Sequence, residues 1–131
     1  IKYLLIMTQN EKDLLIKDLC VRLPYGVKVE YENEIFDVEH VCPMYEEVKL
    51  DIPETWTIDV SEVKPFLFPM SSMTEEQDKE YALLQTSPGK EGFLYVWNCA
   101  TMMKWLIENR FDYNGLIPKG LANDATGKNI Y

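Results

Sequence analysis

The chain has 131 residues, 47% of them hydrophobic, with a formal net charge of −9 at pH 7 and a pI of about 4.6. That apolar content supports a real core in one domain and argues against wholesale disorder. The acid excess excludes the basic, aromatic-laced face of a nucleic-acid binder, and there is no run of about 20 apolar residues to span a bilayer.

Residues 1–6 read as an upstream extension, because a helix-start signal follows Met7 at once. The apolar run 3–7 is too short for a signal-peptide core and lacks a cleavage pattern. Thr8-Gln9-Asn10-Glu11 fits a capping box, in which the Thr8 hydroxyl accepts from the Glu11 amide and the Glu11 carboxylate reaches back. The spacing of Leu15, Leu19 and Leu23, flanked by Leu14 and Ile16, predicts a helix over about 8–22. Glu11, Lys12, Asp13, Lys17 and Asp18 are expected on its wet side. Leu23-Pro24-Tyr25-Gly26 should end it.

From Val27 to Val60 apolar and polar residues alternate. Val27, Val29 and Tyr31 share one parity, as do Phe36, Val38 and Cys42, then Val48, Leu50 and Ile52, then Trp56, Ile58 and Val60. Successive strand side chains point to opposite faces, so each strand should be oily on one side and wet on the other. Such half-buried strands suit an antiparallel meander; a doubly covered parallel sheet would show unbroken apolar runs. Glu32-Asn33-Glu34, Pro43-Met44-Tyr45 and Pro53-Glu54 are the connections. Between Glu30 and Asp59 ten acids stand against one lysine, so the outer face of the sheet is expected to be negative.

Ser61 to Lys64 should form one helical turn. Phe66-Leu67-Phe68 should form a short fifth strand, placed at an edge by its flanking prolines. Ser71, Ser72 and Thr74 are candidate caps for a second helix over about 74–84, with Ser72 and Glu75 matching a capping box. Phe93 to Val96 is ambiguous between strand and helix, and Asn98 is a candidate cap for a third helix reaching about Arg110. Gly115 suits a turn of positive φ, after which Leu116, Ile117 and Leu121 should dock back.

The expected fold is therefore α+β: a small, strongly bent antiparallel sheet or an SH3-like barrel of about five strands, flanked by about three helices. A single domain over 1–131 would comprise an N-terminal helix (about 8–22), the sheet or barrel (about 26–68), a C-terminal helical part (about 72–121) and a frayed tail (122–131).

The odd, scattered cysteines Cys20, Cys42 and Cys99 suit a reducing compartment. His40 shares a strand parity with Cys42, but two ligands do not make a zinc site, and a half-buried histidine is the simpler reading. Cys99 near a helix N-terminus would have a lowered thiol pKa, yet no base is at hand to complete a nucleophile. Capping explains Ser71 and Ser72. No phosphate, dinucleotide or metalloprotease motif occurs, and no cofactor or metal is expected. The candidate interaction surface is aromatic: Tyr25, Tyr31, Tyr45, Trp56 and Trp97.

The stretches 11–27 (EKDLLIKDLCVRLPYGV), 63–74 (VKPFLFPMSSMT) and 105–122 (WLIENRFDYNGLIPKGLA) together resemble a family of small proteins of gut anaerobes that are often linked to prophages or other mobile elements. The resemblance implies a cytoplasmic protein with a phage link and carries no catalytic residues. Three functions follow as expectations. The first is a non-catalytic module that binds another protein, with no nucleic acid and no membrane as partner. The second is an acidic mimic of nucleic acid that blocks a basic protein, and the third is a small enzyme using Cys99 or a carboxylate pair.

Overall fold

The computed structural model describes residues 7–52, 57–86 and 91–131, apart from the side chains of residues 86 and 91–98. The expectations for residues 1–6, the Pro53-Glu54 turn and Trp56 lie outside the described residues. The helices are α1 (Gln9–Arg22), α2 (Glu75–Thr86) and α3 (Glu91–Glu108). The strands are β1 (Lys28–Tyr31), β2 (Glu34–Cys42), β3 (Glu47–Leu50), β4 (Ile58–Asp59), β5 (Lys64–Leu67) and β6 (Asn123–Asp124).

α1 begins as the sequence requires. The Thr8 hydroxyl accepts from the Glu11 amide at 3.2 Å, and the Glu11 carboxylate accepts from the Thr8 amide at 2.9 Å. Both amides would otherwise lack a partner inside the helix. Thr8→Ala should therefore lower stability by about 1 kcal/mol, and Thr8→Ser should restore it. Urea midpoints of the three proteins check this.

The sheet has the order β4-β3-β2-β1-β5-β6 and is antiparallel except for the β5–β6 pair. It is an open, bent sheet rather than a closed barrel. The two outermost strands have only two residues each and, among the described residues, pair with no further strand. The bend sits in β2, which pairs with β1 through its first half and with β3 through its second. Glu32 (φ 50°) and Asn33 (φ 67°) close the β1–β2 hairpin with the two positive φ values that a type I′ turn needs.

The parity of the strands holds through Val38 and again in β3 and β4, but fails for Cys42. Val27, Val29, Val38, Val48, Leu50, Ile58 and Val60 are buried together with Leu15, Ile16 and Leu19 of α1, which covers this face of the sheet. One interruption matters. The register jumps between Val38↔Leu50 and His40↔Lys49, leaving Glu39 as the extra residue of a bulge. Past the bulge the faces exchange. Val41, opposite Val48, packs on the core, and His40 is exposed rather than half-buried beside Val38.

Asp18 departs from expectation more sharply. It is not on a wet face but buried, and so is Arg22 one turn later. Arg22 Nε donates to Asp18 Oδ2 at 2.7 Å, and Nη2 donates to Asp18 Oδ1 at 3.2 Å and to the Phe111 carbonyl at 2.8 Å. The Asn114 side-chain Nδ2 donates to Asp18 Oδ1 at 2.9 Å. The Tyr113 ring lies 5.1 Å from the guanidinium, and burial beside Asp18 pushes the Tyr113 phenol up. α1 is thus riveted to the chain that leaves α3.

α3 starts at Glu91, so Asn98 lies inside it and does not cap it. The helix stops at a Schellman motif: Arg110 takes φ 61°, its amide donates to Ile107 O and the Phe111 amide to Leu106 O. Asp112 is buried, and its two carboxylate oxygens accept from the amides of Leu116 and Ile117 at 2.8 and 2.9 Å. Leu116 and Leu121 dock into the core as expected. At the other helix, Thr74 and Gln77 form the capping box of α2, whereas the Ser72 hydroxyl turns back to donate to the Pro69 carbonyl. α2 and α3 reach the sheet through stacked rings: Tyr81 on Trp105 and Trp105 on Phe111, each at 5.6 Å, then Phe68 at 6.3 Å from Phe111.

Two expectations fall with the C-terminal segment. β5 is not an edge strand, because β6 pairs beside it from Phe66 onward, past the Pro65 nitrogen that cannot donate. The tail 122–131 does not fray. Ala122 and Ala125 are buried, and the Ala125 amide donates to the Leu67 carbonyl at 2.8 Å. The Tyr131 hydroxyl accepts from the Lys28 amide and donates to the Phe66 carbonyl, both at 2.8 Å. Given Val29↔Pro65 and Glu30↔Lys64, Lys28 and Phe66 are the next pair of that ladder, and the phenol bridges them. Arg110 lies over the same ring at 4.2 Å and donates to the Tyr25 and Gly26 carbonyls.

Burial raises the Tyr131 phenol above the ordinary tyrosine value of 10.0, outweighing the Lys28 hydrogen bond and nearby arginines. A raised folded-state value means that the stabilisation is fully present below about pH 10 and is lost as pH rises through the folded value. Tyr131→Phe should therefore flatten the alkaline fall in stability, measured as urea midpoints between neutral pH and the alkaline range.

Candidate functional site

The chain between β2 and β3 is a one-turn 3-10 helix, Pro43–Tyr45. Pro43 supplies a fixed φ at its start, and Glu46 in a left-handed conformation (φ 55°, ψ 41°) turns the backbone into β3. The Glu46 amide donates to Pro43 O at 3.2 Å, and its carbonyl accepts from Val60 at 2.9 Å. The Gln9 side chain at the start of α1 donates to the Glu46 carboxylate. On this tied backbone Met44 and Tyr45 are 82% and 67% exposed. Beside them a shallow groove of about 320 Å³ runs between the turn and α1, lined by Asp13, Ile16, Lys17, Pro43, Met44 and Glu46. The side chains of Ile16, Pro43 and Met44 make it mainly apolar. A rigid backbone that presents large apolar side chains next to an apolar groove can bind a partner without first ordering itself.

The five aromatic candidates do not share one surface in the described structure. Tyr45 is at this turn. Tyr31 is at the opposite end of β2, where it pairs with Glu34, and it is half-buried against Phe36 at 6.3 Å. Burial, with Glu32 and Glu62 nearby, pushes its phenol up. Tyr25 follows α1 and is 39% exposed, with its carbonyl held by Arg110. Trp56 and the side chain of Trp97 lie outside the described residues. The reading of the sequence missed Met44, Gln9, Asp13 and Glu46. The available signal was two large apolar residues inside a short connection, Pro43-Met44-Tyr45, where turns are ordinarily polar.

The chemical candidates are dispersed. His40 points away from the core on the outer face of the sheet. Cys42 is half-buried in the last pair of β2, opposite Glu47. Cys20 is half-buried, and burial raises its thiol. Cys99 lies well inside α3 rather than at its start, so the helix-terminus argument for a reactive thiol no longer applies. Ser72 is committed to the Pro69 carbonyl, and Ser71 lies in the one-turn helix Met70–Ser72. Among the described residues no group of three His, Cys, Asp or Glu could hold a metal.

The outer face of the sheet is acidic but interleaved with lysines. Lys28 pairs with Asp37 at 2.9 Å, Lys49 pairs with Glu39 at 2.7 Å, and Lys64 faces Glu30 across the β1–β5 ladder. Asp51 is occupied in accepting from the Asp37 amide. Asp59, next to the core, is partly buried, which works against its charge. Hydrogen bonds from Ser61 and the nearby Lys12 outweigh that and hold its carboxyl below the usual value. Two further hollows are open and shallow. One of about 410 Å³ lies over Glu30, Phe66, Asn123 and Lys128, and one of about 220 Å³ lies between Phe68, Thr74 and Thr126.

Comparison with family models, curated proteins and solved structures gave no match. Among the described residues no helix is long and apolar enough to cross a membrane.

Proposed function

We propose that this chain is a non-catalytic protein-binding or adaptor module of the cytoplasm, and that the 43–45 turn with its groove is where the partner docks. The observation that carries the reading is the exposure of Met44 and Tyr45 on a turn whose Glu46 is bonded to the Val60 amide and to Gln9 of α1. Methionine adapts to irregular surfaces, and tyrosine adds contact area at low entropic cost, so the pair suits an interface hot spot. The link to phages rests on the resemblance of stretches 11–27, 63–74 and 105–122 alone.

The acidic-mimic reading has weaker support, because Lys28, Lys49 and Lys64 break up the carboxylates of the sheet face. The protein-binding reading is tested by placing a photo-crosslinking amino acid at position 45 and, as a control, at the exposed Lys128. One discrete adduct from position 45, absent from position 128, is the expected result. Equal or diffuse labelling from both positions would contradict it.

A further inference from the structure

We infer that the segment bound at the 43–45 turn is amphipathic and basic at one end, presenting an aliphatic or aromatic side chain to the groove and an arginine or lysine to Asp13 and Glu46. This rests on the protein-binding reading. The side-chain amide of Gln9 donates to both of these carboxylates, to Asp13 Oδ1 at 3.0 Å and to Glu46 Oε2. Neither acid takes part in an ion pair among the described residues. Two negative groups converge on one neutral amide at the mouth of an apolar groove. A guanidinium in place of that amide would make charge-assisted bonds to both, with a planar fork suited to carboxylates.

The groove also has a direction. Lys17 lies one helical turn beyond Asp13, about 6 Å along α1, and lines the same groove. A second base at that end would be repelled. The segment should therefore carry its base at the Asp13–Glu46 end and be neutral or acidic at the Lys17 end. The net charge of −9 would draw such a segment in from a distance, and it disfavours a second copy of this chain as the occupant.

The test selects a random peptide display library against the full chain and measures the enriched peptides by titration. Peptides should carry a base close to an aliphatic or aromatic residue, and binding should be lost in Met44→Asp. Asp13→Asn with Glu46→Gln should weaken them roughly three- to tenfold, and added salt should act in the same direction. Asp13→Lys with Glu46→Lys should instead select peptides with an acid at that end. Peptides that depend on Met44 but carry no base, or ignore the charge substitutions, would overturn the inference and leave the protein-binding reading intact. Enrichment of peptides indifferent to Met44, or none at all, would sink both. Self-association abolished by Met44→Asp would assign the groove to a second copy and overturn the inference as well.

Discussion

Arg22→Ala should destabilise the fold by about 3–5 kcal/mol, because it leaves the Asp18 carboxylate buried without its counter-charge. Asp18→Ala should cost a similar amount, with the guanidinium then stranded against the Phe111 carbonyl and the Tyr113 ring. The double replacement Asp18→Ala with Arg22→Ala should cost clearly less than the two single changes added together, since no charge is left inside. Urea denaturation of the four proteins gives the cycle. Strict additivity would mean that the two groups are solvated and that α1 is not tied to the 111–114 chain through them. Arg22 Nη1 is the one buried side-chain nitrogen or oxygen among the described residues with no hydrogen-bond partner. The node is therefore already incompletely satisfied, which makes it intolerant of further loss.

A chain ending at Leu121 should lose at least about 3 kcal/mol, a large share of the 5–15 kcal/mol typical of a domain, or fail to fold. It lacks β6, the Ala125 amide on Leu67, and the Tyr131 hydroxyl between Lys28 and Phe66. It also uncovers Phe66 and Leu67, which are buried beneath this segment. Tyr131→Phe separates the contributions. It keeps the ring under Arg110 and the strand pairing but leaves the two backbone groups without the phenol, at a cost of about 1–2 kcal/mol where those groups are partly exposed. A truncated chain with an unchanged urea midpoint would return the tail to the frayed state that its small, polar composition suggests.

Local rules read well from this sequence wherever a local rule decides the structure. Thr8 and Glu11 cap α1, Glu32 and Asn33 close a hairpin, Gly115 takes φ 70°, and the alternation over 27–60 places Val29, Val38, Leu50 and Ile58 inside. The misses share a cause, which is partners distant in sequence. Asp18 and Arg22 are spaced like an ordinary surface pair, and only the carbonyl of Phe111 and the side-chain amide of Asn114, some ninety residues away, make their burial possible. β6 has two residues and no periodicity to detect. The bulge at Glu39 adds one residue without a glycine or proline to mark it, so His40 landed on the wrong face. Cap residues also compete: Thr74 with Gln77 won over Ser72 with Glu75, and Asn98 was absorbed into a helix that starts earlier.

The candidate surface was less legible than the fold. Tyr45 stood among the aromatic candidates, but exposure is set by the tertiary path, and aromatic content alone did not separate it from Tyr31, which packs on the core. The stretches 11–27, 63–74 and 105–122 meet in one place. α1 joins the chain after α3 through Asp18, Arg22 and Asn114, and that chain joins β5 through the Phe68 amide and carbonyl, which bond Arg110 and Asp112. These residues account for the scaffold, and the turn at 43–45 lies outside all three stretches.

Met44 and Tyr45 are proposed to serve a partner and not the fold. This is tested most directly by measuring melting temperature and partner affinity on the same preparations of Met44→Ala with Tyr45→Ala. The expected result is a melting temperature within about 2 °C of the parent, as surface changes usually give, with affinity down at least about tenfold. A clear fall in melting temperature, or affinity unchanged in a normally folded variant, would contradict it.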